Sequence, residues 1–222
     1  MSHTPPRFHW ILDPLCGWSY AAAPLLETAL ERFPGQHTLH FGGLFHGPSR
    51  RPVDDTWREQ VLVHDDRIAS LSGQPFGDGY RHQLLRDPSL VLDSTPAIRR
   101  VLAIQQSVGA DTAARAFNAI QRGYYGHGRN ITREEVLNEL LAADRLWPEA
   151  TEQVWTNQSG ADLQHHLAAT RQRLTELGGQ GYPTLALALE GQPWHRIRLP
   201  TFYGDQPGWL RLLNELPNLQ AP

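Results

Sequence analysis

The chain has 222 residues, 20 of them basic and 23 acidic, for a formal charge of −3, and a single cysteine. That length supports a full hydrophobic core, in one large domain or in a domain carrying an insertion. The near balance of charge, with no long run of either sign, gives no footprint for nucleic acid or an anionic membrane, and one cysteine excludes an internal disulfide.

Residues 7–12 alternate in polarity and end in Asp13-Pro14, a pair that cannot continue a ladder, which predicts a buried strand. A helical pattern follows over residues 19–33 and closes at Pro34-Gly35, with Pro24 inside it predicting a kink. Residues 37–41 alternate again and stop at Gly42-Gly43, so the chain opens as a parallel strand, helix, strand unit. From about Pro48, residues 56–71, 95–108, 111–125, 132–143 and 150–155 carry apolar residues at helical spacing. Thr132 and Glu135 have the form of a capping box. The glycine- and proline-rich stretch 73–90 reads as a surface loop. Residues 161–177 predict a long helix ended by Gly178-Gly179. The apolar run 184–189, bounded by Pro183 and Gly191, suits a central strand, with 195–199 as its hairpin partner across a Gly191-Gln192 turn. An amphipathic helix over 206–216 closes the chain, with Trp209, Leu210, Leu212 and Leu213 on its apolar face.

The cysteine lies in Asp13-Pro14-Leu15-Cys16-Gly17-Trp18-Ser19-Tyr20, between the first strand and the first helix. A helix start offers unpaired N–H groups and the positive end of the dipole, which favour a thiolate and make Cys16 a candidate nucleophile with a lowered pKa. A lone cysteine is equally at home as a small core hydrophobe, and the junction alone leaves both readings open. The same holds for Trp18, as substrate contact or core, and for Asp13, as buried proton relay or turn residue. His165 and His166 are adjacent and point to different sides of a helix, and His46, His64, His82 and His127 share no metal-ligand spacing, so no metal site is expected. No apolar run reaches membrane-span length and the first residues lack the basic and apolar segments of a secretory signal, so a cytoplasmic protein with no membrane partner is expected.

The order of elements, with Cys-x-x-Ser at a helix start and Gly181-Tyr182-Pro183-Thr184 at a strand entry, resembles the thioredoxin fold with an inserted all-helical domain. Residues 13–20 are similar to the Asp-Pro-x-Cys-x-Trp-Cys active site of the DsbA-like thiol-disulfide oxidoreductases, in particular the FrnE and disulfide-isomerase branch. Residues 91–100 and 116–132 resemble stretches of that family's inserted helices. The resemblance implies an α/β protein with a thioredoxin-like domain over 1–47 and 160–222 and a helical insertion over 48–159. It further implies Cys16 as the attacking thiolate, Ser19 beside it in the place of the family's second cysteine, and a cis Tyr182-Pro183 bond. Trp18, Tyr182, Pro183 and Thr184 would contact substrate, with Asp13 and Gly17 in auxiliary roles.

Without a second cysteine the mixed disulfide must be resolved from outside, which points to monothiol exchange: isomerisation or deglutathionylation of a protein disulfide or glutathione-linked substrate. Glutathione is then an expected co-substrate, with no permanently bound cofactor, and a homodimer is an open possibility. Kappa-class glutathione transferases and hydroxychromene-carboxylate isomerases are similar in architecture; in that reading Ser19, or a hydroxyl near it, holds the thiolate of glutathione and Cys16 is incidental. A third reading is a non-catalytic, chaperone-like protein that binds along its helical face and the Pro183 loop, where Tyr124, Tyr125 and Trp147 serve as exposed aromatics or are equally at home as ordinary core.

Overall fold

The computed structural model describes residues 5–189 and 192–216. The chain opens with strand β1 (Arg7–Leu12), helices α1 (Gly17–Ala21) and α2 (Ala23–Arg32), and strand β2 (His37–Phe41). The expected kink is a break: the helix is interrupted at Ala22, and Pro24 falls in the first turn of α2, where its missing N–H costs no hydrogen bond. A two-residue strand β3 (Arg51–Pro52), helix α3 (Asp55–Ser72) and a second short strand β4 (Val91–Leu92) follow. Helices α4 (Thr95–Val108), α5 (Ala110–Gln121), α6 (Glu134–Ala143), α7 (Glu149–Asn157) and α8 (Gly160–Glu176) complete the helical part. Strands β5 (Thr184–Ala188) and β6 (His195–Ile197) and helix α9 (Gln206–Glu215) return to the sheet.

The sheet runs β2-β1-β5-β6, with β1 parallel to β2 and antiparallel to β5, and β5 antiparallel to β6. This is a thioredoxin fold with a helical insertion, in which β3 and β4 form a small antiparallel ribbon. The turn expected at Gly191-Gln192 involves a residue outside those described. Trp10 crosses from β1 to the α9 side, packing edge-on to Trp209 at 6.4 Å, while the Trp209 indole donates to the Leu25 carbonyl of α2 at 2.9 Å.

Strand β2 lies at the edge of the sheet, where unpaired main-chain groups invite association. Side chains cover it. Gln105 of α4 accepts from the Leu39 N–H at 2.8 Å and donates to the Leu39 carbonyl at 3.1 Å, and His166 of α8 accepts from the Phe41 N–H at 3.0 Å.

Three expectations from the pattern give way to tertiary structure. Residues 73–90 do not form a surface loop: they contain the helical turns Gly79–Gln83 and Leu84–Arg86, and Tyr80, Leu84, Leu85 and Leu90 are buried. Thr132 does not cap α6, because the Asn130 carboxamide oxygen holds both its N–H and its hydroxyl; a side-chain capping box forms instead between Ser159 and Asp162, at the start of α8. In α9, Leu210 faces outward and Leu216, just past the helix, completes the buried set with Trp209 and Leu213.

Candidate active site

Cys16 is the residue flanking the start of α1, with extended backbone geometry (φ −100°, ψ 114°). Its sulfur donates a hydrogen bond to the main-chain carbonyl of Tyr182 at 3.2 Å, across 166 residues of sequence. The Tyr182-Pro183 peptide bond is cis. The Tyr182 ring lies over Gly42, just past the end of β2, where a Cβ would stand 1.7 Å from the tyrosine hydroxyl. Only glycine leaves room for that ring.

The loop before α1 is held from several sides. Asp13 is fully buried, and its carboxylate accepts from the Leu15 N–H at 2.9 Å, the Leu44 N–H at 2.7 Å and the Ser94 hydroxyl at 2.8 Å. Burial pushes its pKa up to about 6, against the pull of those donors. Gln121, at the end of α5, directs its amide N–H group at the carbonyls of Asp13, Pro14 and Cys16 at 3.3, 3.3 and 3.4 Å. Gly17 is pressed against α3, where a Cβ would meet Ile68 at 2.8 Å and Asp65 at 3.3 Å. Asp65 is itself buried, bonded to the Tyr80 hydroxyl at 2.9 Å, and raised to about 7 by burial.

These contacts reverse the expectation of a lowered Cys16 pKa. Burial pushes the thiol up to about 11; the charge of Asp13 raises it further, while the N–H groups of Ser19 and Trp18 and the Ser19 hydroxyl pull it down. The helix start acts in the expected direction. Helix α1 is short, and its donors do not offset the loss of water around the thiol of a residue that is only 9% exposed.

Ser19 is buried, and its oxygen accepts from the Asp13 N–H at 3.2 Å. It therefore sits inside the active-site loop, bonded to the Asp13 N–H and acting on the Cys16 thiol. Trp18, Tyr182, Pro183 and Thr184 line one cleft of about 720 Å³. Trp18 forms a wall by stacking on Tyr203 (centroids 5.7 Å, planes 16° apart), whose hydroxyl donates to the Trp18 carbonyl at 3.1 Å. Tyr124 and Tyr125 are not exposed aromatics: both are buried, and Tyr125 stacks on Tyr20 at 4.9 Å. Trp147 is half-buried against the Arg100 guanidinium at 4.8 Å. Among the described residues no group of three His, Cys, Asp or Glu side chains could hold a metal ion, and no helix is long and apolar enough to cross a membrane.

Periodicity could not have found Ser94, Gln121, Asp65 or Tyr203. Their partners lie far off in sequence, and only the resemblance of residues 91–100 to a family segment marked the neighbourhood of Ser94.

No family model matches the chain, and no curated protein matches it in sequence. Solved structures do match. The cytosolic disulfide reductase DsbM from Pseudomonas aeruginosa is 37% identical over 96% of this chain and 99% of its own, with a TM-score of 0.85. The same protein solved with GSH gives 36% identity, 97% and 100% coverage and a TM-score of 0.83. A structure from Nitrosomonas europaea, 23% identical over 99% of this chain and 100% of its own with a TM-score of 0.73, shares the fold. With this identity to DsbM over nearly the whole of both chains, and with a cysteine at a helix start facing a cis-proline loop, the chain belongs to the DsbA-like thioredoxin-fold family of thiol-disulfide oxidoreductases.

Proposed function

We propose that the protein carries out monothiol exchange through Cys16, with glutathione as the co-substrate that returns the enzyme to its thiol. The observation that carries the reading is the contact between the Cys16 sulfur and the Tyr182 carbonyl beside the cis-proline, next to the cleft. The relative solved with GSH supports the choice of co-substrate.

At rest the sulfur is a thiol that donates to Tyr182. A substrate main chain pairing with Tyr182 as an added strand takes up that carbonyl. The sulfur is then left facing the N–H groups of Trp18 and Ser19, which favour the thiolate, and the thiol proton passes to water in the cleft. The thiolate attacks a substrate disulfide; a Cys16–substrate disulfide forms, and the other half of the substrate leaves as a thiolate that takes a proton. When the captured half is glutathione, a second glutathione thiolate attacks it, freeing Cys16 and releasing glutathione disulfide. Ser19 cannot shorten this sequence by forming an internal disulfide. Trp18, Tyr182, Pro183 and Thr184 act as the substrate-binding wall, Asp13 as the anchor of the loop, and Gly17 as the spacer that lets α3 close on it. A cytoplasmic setting, rich in reduced glutathione, suits this cycle.

The test is turnover of a glutathionylated protein by this enzyme with glutathione and glutathione reductase, together with mass spectrometry of Cys16. A glutathione adduct on Cys16, and turnover lost in Cys16→Ser, are expected. In Ser19→Cys the adduct is expected to become short-lived, replaced by a disulfide between positions 16 and 19. Equal turnover by Cys16→Ser would sink the proposal.

A further inference from the structure

We infer that the cleft beside Cys16 selects disulfides whose neighbouring groups carry carboxylates, and that Arg67, Arg196 and Arg198 read them. The inference rests on the thiol-exchange reading above and names its substrate class. The three arginines come from separate parts of the chain, Arg67 from α3 and the others from β6 and the residue following it, yet all line the cleft that holds Trp18, Tyr182 and Pro183. All three are exposed. Among the described residues no acidic side chain lines that cleft. Its charge is thus opposite in sign to that of the whole chain, which is −3.

Elsewhere arginines of this chain commonly hold an acidic partner, as Arg81 holds Asp66 at 2.7 Å and Arg50 holds Asp93 at 3.0 Å. Arg67 and Arg198 have no such partner among the described residues, and Arg196 is steadied by donating to the Gly178 carbonyl. A guanidinium presents a planar fork that matches a carboxylate with two parallel hydrogen bonds. Cations of one sign lining a cleft also focus the field and raise the arrival rate of anions. A disulfide engaged at Cys16 lays its neighbouring residues along Pro183 and Trp18, within the space the arginines line. Carboxylates there meet unpaired guanidinium groups; amines meet repulsion. Glutathione disulfide and an acidic peptide disulfide share this chemistry.

The experiment measures the second-order rate at which Cys16 of the intact protein forms a mixed disulfide, by quenching and mass spectrometry. The probes are glutathione disulfide, neutral bis(2-hydroxyethyl) disulfide, cationic cystamine, and a pair of peptide disulfides flanked by Glu or by Gln. The anionic probes are expected to react at least about 10-fold faster than the neutral one at low salt, and cystamine slowest, with the spread narrowing as salt rises. The ratio of anionic to neutral rates is expected to fall about three-fold in Arg67→Gln and in Arg198→Gln, the range that exposed ion pairs give, and to fall less in Arg198→Lys, which keeps the charge and loses the fork. A faster reaction with glutathione disulfide than with the Glu-flanked peptide assigns the site to the small thiol, and the reverse assigns it to proteins; both support the inference. Equal rates for all probes, with Cys16 reactive, overturn it while leaving thiol exchange standing. Silence of Cys16 toward every probe overturns thiol exchange, and this inference with it.

Discussion

On one side of Cys16 the chain is dry and tied down; on the other it is open. The closed side consists of Asp13 to Ser19, clasped by the buried Ser94 and Gln121, the α3 face and the main chain of Leu44. The open side has one direct contact to the sulfur, the Tyr182 carbonyl, and beyond it a cleft lined by exposed arginines. The difference separates two tasks. The closed side sets where the sulfur sits and how tightly it keeps its proton, and the open side decides what reaches it.

The largest test of this division is Asp13→Ala. It strands the Leu15 N–H and the Ser94 hydroxyl in a buried place and takes the acceptor from the half-buried Leu44 N–H, so a loss of about 3 kcal/mol is expected, at roughly 1 kcal/mol or more for each orphaned donor. Urea unfolding, read as a lower midpoint at unchanged slope, checks it. Asp13→Asn should lose less, because it keeps an acceptor and carries no buried charge. A near-neutral Asp13→Ala would mean that the loop is not held by the carboxylate, and the closed side would lose its anchor.

Next in size is the proton on Cys16. Its folded pKa of about 11 stands above the ordinary value of 9.0, so the folded chain keeps the proton more tightly than the unfolded one. Below pH 9 both states are thiols and the stabilising contribution is whole. From pH 9 to 11 the unfolded chain ionises first, and stability falls by roughly 2 to 3 kcal/mol relative to Cys16→Ser. The alkylation rate of the free enzyme should accordingly keep rising about tenfold per pH unit beyond pH 9. A plateau below pH 8 would show that the N–H groups of Trp18 and Ser19 outweigh burial even without substrate.

How much of this could be read from the residues depends on the range of the interaction. Strand β1, β2, the hairpin and α8 follow from local alternation and helical spacing, because a half-buried strand or helix writes its buried face directly into its period. Cys16 and Pro183 were visible as punctuation at element ends, and Gly42 as a stop to β2. The structure adds that Gly42 also makes room for Tyr182. Tyr80, Leu84 and Leu85 were hidden because glycine and proline around them signal a turn, whereas their burial comes from packing against Tyr124, Tyr125 and the rest of the insertion. The raised Cys16 pKa escapes a local reading for a related reason: a helix start is a local feature, and desolvation belongs to the whole surrounding shell. The arginine-lined cleft is beyond any window, since Arg67 lies more than a hundred positions from Arg196 and Arg198 in the chain.

Gln121 shows how finely the closed side is balanced and gives the smallest expected effect. Its amide N–H group is shared among three carbonyls at the long end of hydrogen-bond distance, while its carboxamide oxygen is buried with no partner. The two features oppose each other: the shared donor stabilises the loop, and the orphaned acceptor destabilises the fold. Gln121→Leu, close in shape, removes both, so its net cost is expected to be only about 1 kcal/mol in urea unfolding. Its local effect should be clearer, because the carbonyls of Asp13, Pro14 and Cys16 lose the group that gathers them. Cys16 is then expected to react with a neutral alkylating agent faster than in wild type, as the loop loosens and water reaches the sulfur. A stability loss above about 3 kcal/mol would mean that the three contacts are stronger than their lengths indicate. Unchanged stability and unchanged alkylation together would leave Asp13 as the sole clasp of the loop.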